Sequence, residues 1–327
     1  MRDVLECLFA GRSLSRPDAR SLMDGVLDGA HAPERVAALL ACYRMRPPTR
    51  DELAGFRESV YERASPISLD APDAVDMVGT GGDGMNTFNV TTISALTVAS
   101  CGHRVVKHGN GSASSKHGSS DTLRAAGFRF RENEDDLRRQ LDAAGITFLH
   151  APLFHPALGA VAPIRRALGV GTVFNLLGPL VNPARPRRSF VGVADARTQG
   201  LYAELLAETS DRHCVVHAND GYDEVTLTGP VRCFSDGGRE TLRPVDFGLA
   251  QTTRDAITVA DDALAQFRSI LAGEGTDAQT DTVAANAGLA MHRTLTPERS
   301  LTDCVAEARE RLRGGHVAET FAKLCAV

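Results

Sequence analysis

Two carboxylates stand side by side in Asp220-Gly221-Tyr222-Asp223-Glu224, between the strand-like runs CVVH (214–217) and VTLTG (225–229). Adjacent carboxylates at a strand end are hard oxygen donors suited to Mg2+, which commonly bridges protein carboxylates and substrate phosphates. An acidic turn without a ligand has the same composition. A second group is Val78-Gly79-Thr80-Gly81-Gly82-Asp83-Gly84, directly after the strand-like VDMV (75–78). It matches the dinucleotide pattern G-x-G-x-x-G by letter. Asp83, however, would oppose a bare pyrophosphate, and no acid follows about 20 positions on to hold a ribose hydroxyl. Asp83 fits a loop where a cation accompanies the phosphates, or one where it holds a ribose hydroxyl itself. A Gly-rich turn with no ligand is the alternative.

Thr87-Phe88-Asn89-Val90-Thr91-Thr92 gathers hydroxyl and amide groups where a helix begins. Helix N-termini bind anions through free N–H groups, and plain N-capping by Asn89 or Thr91 is the competing reading. Lys107-His108-Gly109-Asn110-Gly111-Ser112-Ala113-Ser114-Ser115-Lys116-His117-Gly118-Ser119-Ser120-Asp121 follows the strand-like HRVV (103–106). Its glycines allow backbone N–H groups to converge, and its serines and lysines add donors and charge, as a phosphate-gripping loop requires. A flexible linker has similar Gly/Ser content, but no Asp or Glu occurs from Gly84 to Ser120. Beyond lie His155-Pro156-Ala157-Leu158 and, at the far end of a helical pattern, Arg165 and Arg166. An arginine there can meet a carboxylate bidentately; Arg166 reads as a solvated helix end, and His155 alone as a structural histidine.

The elements that must position these groups fall into two kinds. Residues 1 to about 65 show only helical spacing: Val4, Leu5, Leu8 and Phe9; Leu22, Val26 and Leu27 after a Ser15 cap; Val36, Leu39, Leu40 and Tyr43 after Pro33. Leu53, Phe56 and Val60 follow a Thr49/Glu52 capping box. From Ala74 onward, short β-branched runs alternate with helical ones, which predicts an α/β fold with a mostly parallel central sheet. The expected division is a small N-terminal helical domain over 1–68, joined by helices around 170–188, and a larger α/β domain over 69–327.

With 327 residues, 43% hydrophobic and 24% charged, the chain can bury a full core. Its net charge of −5 opposes duplex nucleic acid as a partner. No apolar run approaches the ~20 residues needed to span a bilayer. Asp3 and Glu6 precede any apolar stretch, unlike a secretory leader. Seven scattered cysteines, an odd number, point to reduced thiols in the cytoplasm.

Taken together, the ordered segments GTGGD, TFNVTT, KHGN…SS…GSSD, FHPA…APIR, FNLLGPLVNP and DGYDE resemble the anthranilate phosphoribosyltransferase family over nearly the whole chain. The resemblance implies a fold of the nucleoside phosphorylase/phosphoribosyltransferase type and a homodimer formed through the helical domains. It implies transfer of the 5-phosphoribosyl group from phosphoribosyl diphosphate to the amine of anthranilate, in tryptophan biosynthesis. Phosphoribosyl diphosphate would be held by Gly79, Gly82, Asp83, Thr87, Asn89, Val90, Thr91, Thr92, Lys107 and Ser119. The loop His108, Gly109, Asn110, Gly111, Ser112, Ala113, Ser114 and Ser115 would hold it too. Two Mg2+ ions would sit on Thr91, Asp223 and Glu224. Gly79, Asn110 and Arg165 would contact anthranilate, with His108 and His155 lining its route. Asp83, Lys107, Asp223 and Glu224 would be the catalytic set.

Such a reaction needs charge neutralisation at the leaving group and placement of the amine, and no nucleophilic side chain. The absence of an obvious Ser–His–Asp or Cys–His set agrees with it. Three positions depart from the family pattern: Gly111 where an Arg is frequent, Thr91 for the usual Ser, and His117 for a small polar residue. A pyrimidine nucleoside phosphorylase of the same fold would not need the Asp223-Glu224 pair. A nucleic-acid-binding relative would need a basic groove.

Overall fold

The apolar spacing of the first 65 residues becomes four helices in the computed structural model, which describes residues 1–110 and 119–327: α1 (Arg2–Phe9), α2 (Arg16–Leu27), α3 (Pro33–Met45) and α4 (Arg50–Glu62). Ser15 caps α2, and the Thr49/Glu52 capping box opens α4 as expected. α2 and α4 approach closely at Gly55, where a Cβ would lie 2.3 Å from the Arg16 carbonyl. Ion pairs Arg16–Glu58 and Arg20–Glu62 share one offset along the two helices, so both run the same way. Glu52 ties the helices together. It is fully buried and accepts from Leu14 N (3.0 Å), Tyr43 OH (3.1 Å), Thr49 N (2.8 Å) and both Arg46 Nη atoms (2.7 and 3.1 Å).

This helical unit comprises Met1–Ile67 and Ala151–Arg185. The returning segment carries α8 (Ala151–Phe154) and α9 (Ala162–Leu168). It is fastened by Ser65 N to Phe154 O (2.8 Å) and Arg57 Nε to Leu180 O (2.8 Å). Arg57 and Arg185 both stack on Tyr61. The return therefore begins at Ala151, well before the expected 170–188.

The second unit, Ser68–His150 and Pro186–Val327, is built on a seven-stranded sheet. Its elements are β1 (Val75–Gly79), α5 (Val90–Ser100), β2 (Val105–Gly109), α6 (Ser119–Ala125), α7 (Glu134–Ala144), β3 (Ile146–His150), β4 (Arg188–Gly192), α10 (Ala196–Thr209), β5 (Arg212–Ala218), β6 (Val231–Ser235), β7 (Gly238–Leu242), α11 (Ala263–Leu271), α12 (Asp277–Ala290), α13 (Leu301–Arg313) and α14 (His316–Cys325). The order is β3-β2-β1-β4-β5-β6-β7; the first five strands are parallel, and β6 and β7 are antiparallel. α5 is apolar nearly all round because it packs on β1 and β2 and is covered by α12, α13 and α14. Among the described residues no helix is long and apolar enough to cross a membrane.

Two strand expectations change. HRVV (103–106) is displaced: β2 runs 105–109, so Lys107, His108 and Gly109 belong to the strand. VTLTG (225–229) is not a strand. Leu227 has φ +61°, and Val225 pairs with the side chain of Asn286 instead of a neighbouring strand. The antiparallel strands are β6 and β7, joined at Asp236-Gly237, with Gly238 at φ +110°.

Glu52→Ala should destabilise the helical unit by about 3–5 kcal/mol, because the donors converging on it lose their acceptor. Burial pushes the Glu52 carboxyl up, but Arg46 and the Thr49 and Leu14 N–H groups hold it below its ordinary value. Its stabilisation is complete above the unfolded value near about 4.3 and is lost as pH falls through the lower folded value. The thermal midpoint of the wild-type chain should therefore drop below about pH 4, and drop less in Glu52→Gln.

Candidate functional site

The strand order reverses between β1 and β4, and in open parallel sheets ligands bind at the carboxyl ends of the strands at such a point. There the last residues of the two strands, Gly79 and Gly192, face each other in register. Both are glycine because Asp223 lies over them. A Cβ on Gly192 would come 1.6 Å from the Asp223 carbonyl oxygen, and one on Gly79 would come 2.7 Å from Asp223 Oδ2.

From Gly79 the chain turns through Gly81, Gly82 and Gly84, all at positive φ. Gly81 N donates to Asp223 Oδ2 (2.7 Å), and Met85 N to Asp83 Oδ1 (3.1 Å). A bridge between Thr87 and Thr258 and the bond Val259 N to Asn86 O (3.0 Å) hold the far side of this turn. α5 then starts at Val90. Its N-terminus is capped by neither Asn89 nor Thr91, as one reading had it; Glu224 caps it from a distant segment. Glu224 Oε1 accepts from Thr91 N (3.1 Å) and Thr91 Oγ1 (2.6 Å), and Oε2 from Thr87 Oγ1 (3.3 Å). A carboxylate there complements the helix dipole.

Crowding sets the electrostatics. Burial pushes the Asp223 carboxyl up to about 7, reinforced by the charge of Asp83 and opposed by Gly81 N–H. Burial likewise pushes Glu224 up to about 8, with Asp223 adding to it and the Thr91 hydroxyl opposing. Lys107 lies beneath them, buried, with Nζ donating to the Met77 carbonyl. Burial lowers it to about 8, against the pull of Asp76, Glu224 and Asp223. Asp76 also accepts from His108 N (3.1 Å).

The structure thus brings Gly79, Asp83, Thr87, Thr91, Asp223 and Glu224 to one strand-end cluster. Gly82 is exposed on its loop. Asn89 Oδ1 accepts from Ser119 Oγ (3.4 Å), so these two meet at the starts of α5 and α6. Lys107 faces the interior, not the loop side. Val90 sits in the apolar core with its N–H on Phe88 O, and Thr92 is fully buried. His108 and Gly109 end β2, and Asn110 follows. Gly111, Ser112, Ala113, Ser114 and Ser115 lie outside the described residues. In the helical unit, burial holds the His155 imidazole down to about 4, so it is neutral at pH 7. Arg165 stacks on Phe174 (5.5 Å) and donates to Asn175 Oδ1 (3.5 Å). Burial lowers its pKa, and no carboxylate offsets this among the described residues. Sequence reasoning passed over Asp76 and Gly192. A lone acid inside the apolar VDMV was the available signal for the first; nothing local marked the second.

The donor set fits a hard divalent cation. Burial drives Asp223 and Glu224 toward the protonated state, with Asp83 adding to it at Asp223 and Asp223 adding to it at Glu224; Asp83 Oδ2 is buried without a donor, and threonine hydroxyls adjoin the pair. Among the described residues no three His, Cys, Asp or Glu side chains enclose an ion by themselves.

Residues 71–318 match the sequence model of the glycosyl transferase family, a/b domain, and residues 2–64 that of the glycosyl transferase family, helical bundle domain. The chain is 40% identical over 326 residues to the anthranilate phosphoribosyltransferase of Bacteroides fragilis, covering 99% of this chain and 98% of the relative. With that of Flavobacterium psychrophilum it shares 40% over 329 residues, covering 99% and 98%. The structure resembles anthranilate phosphoribosyltransferase from Thermus thermophilus with a TM-score of 0.91 at 34% identity, covering 99% and 98%. It shares the fold of the Saccharomyces cerevisiae enzyme, solved in complex with PRPP and Mg, with a TM-score of 0.89 at 23% identity, covering 98% and 96%.

The two facing glycines should respond differently to a methyl group. Gly192→Ala collides with backbone and should cost about 3 kcal/mol or more. Gly79→Ala collides with a carboxylate tip and should cost less, displacing Asp223 instead. Thermal unfolding of the two variants measures the contrast.

Proposed function

The chain belongs to the anthranilate phosphoribosyltransferase family, and from that premise we propose how its own residues serve the reaction. It transfers the 5-phosphoribosyl group from phosphoribosyl diphosphate to the amine of anthranilate, in tryptophan biosynthesis. The amine lone pair forms a bond to C1, the bond from C1 to the diphosphate oxygen breaks, and the nitrogen releases a proton. The products are N-(5-phosphoribosyl)anthranilate and pyrophosphate.

The observation that carries the residue assignment is the buried Asp223-Glu224 pair, fixed to Gly81 N and to the start of α5. Asp223, Glu224 and Thr91 would hold two Mg2+ ions. Bound there, Mg2+ supplies the positive charge that offsets the departing diphosphate. Asp83 stands beside them to orient the ribosyl diphosphate. Lys107 acts from beneath as the fixed counter-charge of Asp76, Asp223 and Glu224, its field reaching the phosphates without contact.

Thr87, Asn89, Thr92 and Ser119 offer hydroxyl and amide donors at the starts of α5 and α6, and the backbone at Gly79, Gly82 and Val90 frames the same ligand. The loop His108–Ser115 grips its phosphates. Gly111, lacking the charge of the frequent arginine, leaves that grip to backbone N–H groups and serine hydroxyls. We assign Arg165, with Gly79 and Asn110, to anthranilate. Its guanidinium is half-buried, held by Phe174 and Asn175, and suited to a carboxylate. His155, neutral at pH 7, and His108 line the route of the aromatic acid.

We assign the homodimer to the helical unit, where it would cover the exposed Phe9, Met45 and Val170. The net charge of −5 opposes nucleic acid as a partner, and the acid-free stretch from Gly84 to Ser120 supports a small anionic substrate. The scattered, odd set of cysteines supports the cytoplasm.

Purified protein should consume anthranilate fluorescence only when Mg2+ and phosphoribosyl diphosphate are both present; no loss at high enzyme concentration would sink the assignment. Replacing both Asp223 and Glu224 by Ala should cut turnover by at least about 100-fold with the fold retained. Arg165→Ala should raise KM for anthranilate by about 10- to 100-fold, and an unchanged KM would remove Arg165 from the site.

A further inference from the structure

Asp223 and Glu224 stand on a stretch that no strand ladder holds. Residues 219–229 leave β5 and reach β6 as irregular chain, yet metal ligands must be held to within about 0.5 Å. The substitute for a ladder is the side chain of Asn286, on α12. Val225, the residue directly after Glu224, donates its N–H to Asn286 Oδ1 (3.0 Å) and accepts from Asn286 Nδ2 at its carbonyl (2.7 Å). The second Nδ2 hydrogen goes to Thr282 O, one turn back on α12 (2.8 Å). Thr282 Oγ1 in turn donates to the carbonyl of Thr226 (3.3 Å). Asn286, Thr282, Val225 and Thr226 are all buried.

Asn286 thus reproduces with one amide the paired exchange that a neighbouring strand would make, and the chemistry admits few alternatives. An aspartate lacks the donors, a leucine lacks both functions, and a glutamine is a methylene too long. Past Thr226 the backbone turns away from α12 through Leu227 at φ +61°, so the Asn286 pair and the Thr282–Thr226 bond fix the chain to α12 directly after Glu224. On the other side of the dyad, Asp223 rests on Gly192 and Gly79. The two carboxylates are therefore clamped between a steric floor and an amide.

We propose that Asn286, assisted by Thr282, is a positioning residue that sets Asp223 and Glu224 for the divalent ion and its diphosphate. This rests on the metal assignment above.

The test uses the full chain and Mn2+, with free ion followed by EPR. Anthranilate KM, Mg2+ half-saturation and the thermal midpoint are measured alongside. Asn286→Ala should weaken Mn2+ binding about 10-fold or more and raise Mg2+ half-saturation equally, while anthranilate KM stays within about two-fold. Thr282→Val should weaken Mn2+ binding about three-fold. A folded Asn286→Ala chain that binds Mn2+ as tightly as wild type overturns the proposal, even if its thermal midpoint falls. If Asn286→Ala does not fold, Thr282→Val decides: weakened Mn2+ binding supports the proposal and unchanged binding overturns it. Asp223→Asn separates the two levels. If it leaves Mn2+ affinity unchanged, the metal assignment falls and this proposal with it. If it weakens binding while Asn286→Ala does not, only the role of Asn286 falls.

Discussion

Everything at the strand ends depends on one steric allowance: two glycines in register, Gly79 and Gly192, that leave room for the backbone and side chain of Asp223. A side chain at Gly192 would lift the acidic segment off the sheet, and one at Gly79 would displace the Asp223 carboxylate. With both absent, Asp223 rests against the sheet end and Glu224 reaches the start of α5. The turn after β1 then closes over the pair through Gly81. A contact between segments 142 residues apart in the chain fixes the place where the reacting groups gather.

That placement has an electrostatic consequence. Three carboxylates are forced together in one corner, two of them buried, and the compensation available inside the protein is incomplete: Lys107 below, the backbone N–H groups of Gly81, Met85 and Thr91, and two threonine hydroxyls. The corner is stable enough to fold, yet Asp223 and Glu224 are held near the pH at which they accept protons. A divalent cation with its phosphate ligands resolves that tension better than any rearrangement of the chain, since added positive charge favours the ionised carboxylates. The capped α5 adds to this, because its dipole already faces the same corner.

What could be read from the sequence was local. Thr49 and Glu52 announce their helix because a capping box lies within four residues. The parallel strands announce themselves through short β-branched runs. The chemistry was legible as residue types: paired acids, a glycine turn, a Gly/Ser loop, and an arginine at a helix end. Where each would stand was less so. VTLTG alternates like a strand, but its hydrogen-bond partner is an amide side chain 61 residues on. Lys107 has the composition of a phosphate ligand, yet β2 continues through it and turns it inward. Burial and register, which depend on distant partners, decide such positions.

The helical unit, finally, is discontinuous: its first 67 residues pack with Ala151–Arg185. On the ribosome the four N-terminal helices emerge long before the segment that completes them. The intervening Ser68–His150 must be made first, a wait of roughly 4–17 s at ordinary rates of synthesis. During that interval Tyr61 and Arg57 lack the segment that later covers them. The vulnerable moment in the life of this chain thus falls in its synthesis, when its earliest part is its least finished.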